Sequence, residues 1–176
     1  MGEPDPLVLL SKQDLKLGRL IKSIGNYSIQ IHDNLFESLL KSIVYQQLAS
    51  SAANAIYSRF LLYYGEALST PEQIISTPDA VLRFTMGLSF KKIEYIKNLA
   101  AKRVPGELYI HYLPSLQDEE IITELVKVKG IGRWTAEMFL IFCLKWKDVI
   151  PLGNLGVKKA IQKLYNLSEL LLMSIC

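Results

Sequence analysis

Apolar residues recur along most of this chain at three- and four-residue spacing, the period of a helix with one buried face. Leu17, Leu20, Ile21 and Ile24 form the first stripe, and Gly25 stops it. Ser11, with Asp14 three residues on, predicts a capping box for that helix. Tyr27, Ile29 and Ile31 alternate with polar residues, which predicts one short extended segment but no sheet. Asp33 is placed to cap the next helix, whose inner face is Phe36, Leu39, Leu40, Ile43 and Val44. That helix runs into Gln46-Gln47-Leu48-Ala49-Ser50-Ser51. A further stripe from about Ser51 carries Ala53, Ile56, Tyr57, Phe60, Leu61 and Tyr64 and ends at Gly65.

Thr70-Pro71-Glu72 and Thr77-Pro78-Asp79 read as two successive helix starts, each with Pro at the first helical position. Ser89 caps a helix carrying Ile93, Ile96, Leu99 and Ala100, broken at Pro105-Gly106. Residues 109–113 predict a short helix or turn. Ile121, Ile122, Leu125 and Val128 then line the first of two paired helices; Ala136, Phe139, Leu140 and Cys143 line the second, from about Arg133. Val157, Ala160, Ile161 and Leu164 line another, and residues 167–176 make a short apolar helix or a frayed tail. There is no repeat and no Gly/Ser linker. The reading is all-α, with about ten helices in a single unit over residues 1–176.

Between the paired helices stands Val128-Lys129-Gly130-Ile131-Gly132. Two glycines flanking one apolar residue predict a tight turn that only Gly tolerates. Such a turn leaves backbone N–H groups without partners at the start of the next helix, a nest suited to phosphate. Lys127, Lys129 and Arg133 surround it with positive charge. Eight Lys or Arg stand between residues 127 and 163, against Glu137 and Asp148. That leaves +6 on this stretch and −3 on the rest of a chain whose net charge is +3. A solvated face would account for the charge alone; its concentration on the hairpin points to a polyanion.

The length suits one compact core or two small lobes, and half of the 176 residues are hydrophobic. Cys143 and Cys176, with His32 and His111, give no metal-ligand spacing and no disulfide framework, so a reducing compartment is expected. No apolar run approaches the length of a membrane span, and Met1-Gly2-Glu3-Pro4-Asp5 does not read as a signal peptide.

The run Gly130-Ile131-Gly132-Arg133-Trp134-Thr135-Ala136-Glu137-Met138-Phe139 continues into Asp148-Val149-Ile150-Pro151 and Gly153-Asn154-Leu155-Gly156-Val157. It resembles the helix-hairpin-helix motif and Gly/Pro-rich loop of the base-excision DNA glycosylases, and among them the alkylpurine, 3-methyladenine DNA glycosylase II type. The resemblance covers roughly residues 5 to 166, with the hairpin and catalytic loop at about 117–165. It implies two helical lobes with a cleft and the hairpin at the cleft mouth. It further implies monofunctional hydrolysis of the N-glycosidic bond of alkylated purines in duplex DNA, by base flipping, in base excision repair. No iron–sulfur cluster is expected, and no cofactor beyond a monovalent cation held by the hairpin with DNA. A monomer is expected, in the nucleus of a eukaryote or the cytoplasm otherwise.

The resemblance also assigns residues. Lys127, Lys129, Gly130, Ile131, Gly132, Arg133 and Thr135 match the phosphate-binding hairpin, and Gln47 with Leu48 the wedge that fills the gap left by a flipped base. Trp134, Met138, Leu155 and Tyr45 match the base pocket, although by spacing Trp134 and Tyr45 could equally be core. Bifunctional relatives carry a Schiff-base lysine at the Trp134 position; a Trp forms no imine, so no lyase step is expected. Asn154 stands where the family has its catalytic aspartate. Three accounts follow: a substitution introduced to trap substrate, a natural homologue with weakened catalysis, or another carboxylate, with Asp148 nearest in sequence. Family members also usually continue past this C-terminus with helices whose aromatics close the pocket. The alternatives are a non-catalytic homologue that binds damaged or distorted DNA, and a generic helical interaction protein.

Overall fold

The computed structural model describes residues 5–25, 34–65, 69–104, 108, 110–144, 146 and 148–170. Every regular element among them is helical. Contacts group the chain into two units, Met1–Gln30 with Ile150–Cys176, and Ile31–Val149. The alternating segment at Tyr27, Ile29 and Ile31 lies outside the described residues, as does Asp33.

The first unit is built from α1 (Pro6–Gln13), α2 (Leu15–Ile24) and α9 (Leu155–Tyr165). Helix α1 replaces the helix start expected at Ser11, which instead lies inside it. Asp5 caps α1 by accepting from the Leu7 N–H at 3.0 Å, with Pro6 in the first turn. An Asp-Pro pair is a start signal in its own right, but the unbroken apolar run behind it hid the period. Asp14 is the cap of α2, accepting from the Lys16 and Leu17 N–H groups at 2.8 and 2.9 Å. Its other oxygen accepts from the Tyr165 hydroxyl at 2.5 Å, tying α9 to the start of α2. That bond and the two cap bonds hold the Asp14 carboxyl below its usual range. The left-handed Asn166, φ 54°, ends α9.

The second unit holds the buried core. Its axis is α3 (Leu35–Tyr45), which packs against α4 (Ser50–Tyr63), α6 (Phe90–Arg103), α8 (Arg133–Phe142) and the 3-10 turn Ile110–Ser115. Leu39, Ile43 and Val44 of α3 are wholly buried, as their spacing requires. The α3 cap is Asn34, accepting from the Glu37 N–H at 3.0 Å. Thr70 and Gln73 form the reciprocal capping box of α5 (Pro71–Ser76). Thr77 both closes α5 and precedes the second start: helical turns begin at Asp79, with Leu82 N–H bonding Pro78 O at 3.2 Å, and run through the π-turn Val81–Thr85 to end before Gly87. Helix α7 (Asp118–Val126) completes the unit and crosses α8.

Candidate nucleic-acid interface

The hairpin is the link from α7 to α8. Val128 and Ile131 drop into the core, 1 % and 4 % exposed, and pull the backbone into a turn closed by Ile131 N–H to Val128 O at 3.0 Å. Gly130 takes φ +85°, and a Cβ there would stand 2.1 Å from the Tyr95 ring. Gly132 differs from the expectation. Its φ is −93°, and a Cβ would meet nothing within 4 Å. The turn therefore needs glycine at one position, not two.

Gly132 is the N-cap of α8, and no side chain caps the helix. The Ala136 N–H makes the first helical bond, to Gly132 O at 3.0 Å. The N–H groups of Arg133, Trp134 and Thr135 stand ahead of the helical ladder with the positive end of the dipole. Those groups can hold a phosphate oxygen. Three other N–H groups of the hairpin are already used: those of Val128 and Ile131, which bond Leu125 O and Val128 O, and that of Lys129, which donates to Asn98 Oδ1 at 2.9 Å.

The basic side chains are paired. Lys129 Nζ meets Glu94 Oε1 at 2.8 Å, which raises the lysine's pKa. Lys127 pairs with Glu124 at 2.5 Å. Arg133 spans two carboxylates, gripping Glu119 through both terminal nitrogens and reaching Glu137 through Nε at 3.1 Å. The guanidinium holds Glu119 below its usual range. Glu137 is buried and its Oε2 has no hydrogen-bond partner. The exposed pairs are weak in water and yield to a phosphate; Arg133, held at both ends, braces α7 on α8. Thr135 is buried, and faces inward rather than toward solvent.

The loop after α3 lies against this turn. Gln46 Nε2 donates to Gly130 O at 2.7 Å and lies 3.5 Å from Thr135 Oγ1. Lys92 Nζ donates to Val44 O in the last turn of α3, and burial lowers the lysine's pKa. Gln47 follows in the left-handed region, φ 56°, a conformation costly for a residue other than Gly and held only where surroundings impose it. Gln47 and Leu48 are exposed.

Behind the hairpin a cavity of about 210 Å³ opens between α3 and α8, lined by Lys41, Tyr45, Thr135, Met138, Phe142 and Cys143 among others. Drug-sized sites run to about 300–1,000 Å³, so this one suits a single flat base. The Tyr45 hydroxyl donates to Asn54, and its ring meets Tyr57 edge-on with Lys41 Nζ 5.6 Å from its centroid. Burial raises the pKa of Tyr45 and of the Cys143 thiol. Tyr45 and Met138 thus share one cavity, while Trp134, 47 % exposed, is not among its lining residues. A larger depression of about 780 Å³ includes Asn34, Thr70, Arg103 and His111 in its lining. It shares no residue with the hairpin and borders segments outside the described residues, so it carries no part of the site.

Asn154 and Leu155 belong to the first unit. Asn154 is the N-cap of α9: its Oδ1 accepts from the Gly156 and Val157 N–H groups at 2.7 and 3.2 Å. Leu155 is 55 % exposed. Gln46 and Lys92 are the residues that sequence reasoning missed. Their acceptors are backbone carbonyls far along the chain, so no local spacing announces them.

Residues 40–170 match the model of the HhH-GPD superfamily base excision DNA repair proteins. The DNA-3-methyladenine glycosylase 1 of Schizosaccharomyces pombe is 35 % identical over 167 residues, 92 % of this chain and 72 % of the relative. A solved 3-methyladenine DNA glycosylase of that yeast, in complex with abasic DNA, superposes with TM-score 0.80 at 34 % identity, over 94 % of this chain and 82 % of that one. The DNA-3-methyladenine glycosidase of Bacillus halodurans gives TM-score 0.84 at 37 % identity, over 96 % and 78 %. An all-helical chain whose hairpin, following loop and overall match agree in this way belongs to the HhH-GPD superfamily of base excision DNA repair proteins.

Proposed function

We propose that this protein is a monofunctional DNA glycosylase of the 3-methyladenine type, which flips an alkylated purine from duplex DNA and hydrolyses its N-glycosidic bond. One observation carries the reading: the uncapped start of α8, fit for a phosphate, is hydrogen-bonded through Gln46 to a loop that presents a strained, exposed Gln47. Anchor and wedge thus belong to one rigid frame, as base flipping requires. The relatives' names, DNA-3-methyladenine glycosylases, support the substrate class. The flipped base enters the cavity at Tyr45 and Met138 with Trp134 at its approach, and Leu155 stands beside Asn154 on α9. Water adds to C1′ as the base departs with the bond's electron pair, through an oxocarbenium-like state. Asn154, in the aspartate's position, gives this state a dipole in place of a charge, so the chemistry is slow. No cofactor takes part, and a monovalent cation sits at the hairpin with DNA. The protein acts as a monomer wherever the DNA is, in a nucleus or in bacterial cytoplasm.

Asn154 also favours a second reading, a non-catalytic homologue that recognises damaged or distorted duplex through the same hairpin and wedge. Release of 3-methyladenine and 7-methylguanine from methylated duplex separates the two. A measurable rate for the wild-type chain supports the first. Binding to the duplex without release, by both the wild type and Asn154→Asp, supports the second. Loss of binding altogether would defeat both.

A further inference from the structure

The chemistry that the loop after α3 can perform depends on where it is held, and two side chains hold it. Lys92 Nζ caps the end of α3 at Val44 O. Gln46 Nε2 reaches across to Gly130 O at 2.7 Å, with Thr135 Oγ1 at 3.5 Å. Gly130 takes the left-handed conformation of the hairpin turn and is packed close to the Tyr95 ring, where a Cβ would stand only 2.1 Å away. Gln46 itself is extended, φ −54° and ψ 133°. With its side chain fixed to the hairpin on one side and α3 fixed by Lys92 on the other, Gln47 is left in the left-handed region. A non-glycine residue persists there only when both flanks over-determine it.

We propose that Gln46 is a positioning residue that couples the phosphate-binding hairpin to the wedge: its amide fixes the offset between the α8 N-terminus and Gln47, so that a hairpin seated on the DNA backbone delivers Gln47 into the base stack. The inference rests on the reading of the chain as a base-flipping protein. The bond is neutral and partly buried, and an amide donor is what a carbonyl acceptor needs. A misplacement of about 1 Å at such a site costs up to about a hundredfold in the step it serves. Binding to undisturbed duplex uses only the hairpin and its lysines, so Gln46 separates anchorage from insertion.

The experiment uses the full chain and a duplex bearing a tetrahydrofuran abasic analogue beside 2-aminopurine, whose fluorescence rises when the wedge unstacks it. The variants are Gln46→Leu, which keeps the volume and loses the donor, and Gln46→Asn, which keeps the amide on a shorter arm. Gln47→Ala removes the wedge itself and sets the signal expected without insertion. Affinity for an undamaged duplex is read by anisotropy, and folding by thermal melting. Both Gln46 variants are expected to keep undamaged-duplex affinity to within about twofold, since no phosphate contact changes. Their 2-aminopurine rise at saturation is expected to fall at least about fivefold, toward that of Gln47→Ala. Should Gln46→Leu fail to melt cooperatively, the same comparison is made on Gln46→Asn. A fluorescence rise equal to the wild type in a folded variant overturns the inference, and so does a loss of duplex affinity in proportion to the lost signal. A wild-type chain that binds duplex but never raises the fluorescence overturns the functional reading itself, and this inference with it.

Discussion

Replacing Asn154 by Asp exchanges one atom group at a position where the structure tolerates both. The Asn154 Oδ1 accepts from the Gly156 and Val157 N–H groups, and a carboxylate oxygen accepts the same bonds. Asn and Asp are near-equal N-caps, and the negative charge adds about 0.3–1 kcal/mol from the dipole of α9. Stability should therefore hold or rise slightly. The rate should change far more. A unit charge about 4 Å from an oxocarbenium centre is worth about 4 kcal/mol at an effective dielectric near 20, and about 1 kcal/mol in bulk water. Asn154 is half-buried, which places the gain nearer the first figure. The expected acceleration is thus up to about a thousandfold, and no less than about fivefold. Single-turnover release of 7-methylguanine from methylated duplex, with both proteins saturating, measures it directly. A folded Asp variant that binds the duplex and is accelerated by less than about fivefold refutes the assignment of position 154 to the reacting sugar.

Three further outcomes are expected. Gly130→Ala forces a Cβ into the Tyr95 ring at φ +85° and should cost about 2 kcal/mol or more in urea melts. Gly132→Ala, with open space at φ −93°, should cost under about 1 kcal/mol; equal losses would contradict the turn geometry. Duplex binding should weaken steeply with salt, and Lys127→Ala and Lys129→Ala should each reduce the slope of log K against log salt by about 0.9. An unchanged slope would mean that these lysines stay with Glu124 and Glu94 when DNA is bound. Finally, Asp14 has a depressed pKa through Tyr165, so its contribution is present above the ordinary Asp range near about pH 4 and fades as pH falls through the depressed folded value. Tyr165→Phe should shrink that acid-side loss in pH-dependent melts; an identical acid limb would refute the link.

Much of this was legible locally. The apolar stripe of α3, the Thr70-Pro71 start, the Ser89 cap and the beginning of α8 at Arg133 all follow from period and capping chemistry. What the sequence misplaced was also local. Asp14 rather than Ser11 caps α2, because the Pro6–Gln13 helix had already used Ser11. Gly-x-Gly spacing does not say which residue turns the chain, and only Gly130 takes a positive φ. The charge count hid another fact: Glu94, Glu119 and Glu124 all lie outside residues 127–163, and while Glu124 meets Lys127 at local i,i+3 spacing, Glu94 and Glu119 come to Lys129 and Arg133 only through folding. The Gln46 bond likewise joins residues 84 positions apart, and no window on the sequence spans it. Asn154 stands out in the sequence as a departure from a family pattern, while its bonds to the Gly156 and Val157 N–H groups at the start of α9 are a feature of the fold.

The mounting of Gln47 on α3 has a consequence for how such a protein can diversify. The helix that ends at the wedge carries Leu39, Ile43 and Val44 in the middle of the core. A residue inserted or lost ahead of Gln46 would turn the preceding stripe against the wedge by about 100°, and either the core or the loop would lose its place. Length is therefore frozen on this side of the site. Novelty can enter cheaply only by exchange of the exposed side chains at Gln47 and Leu48, so descendants of this chain should differ there in residue type while keeping the spacing from the α3 stripe to the loop.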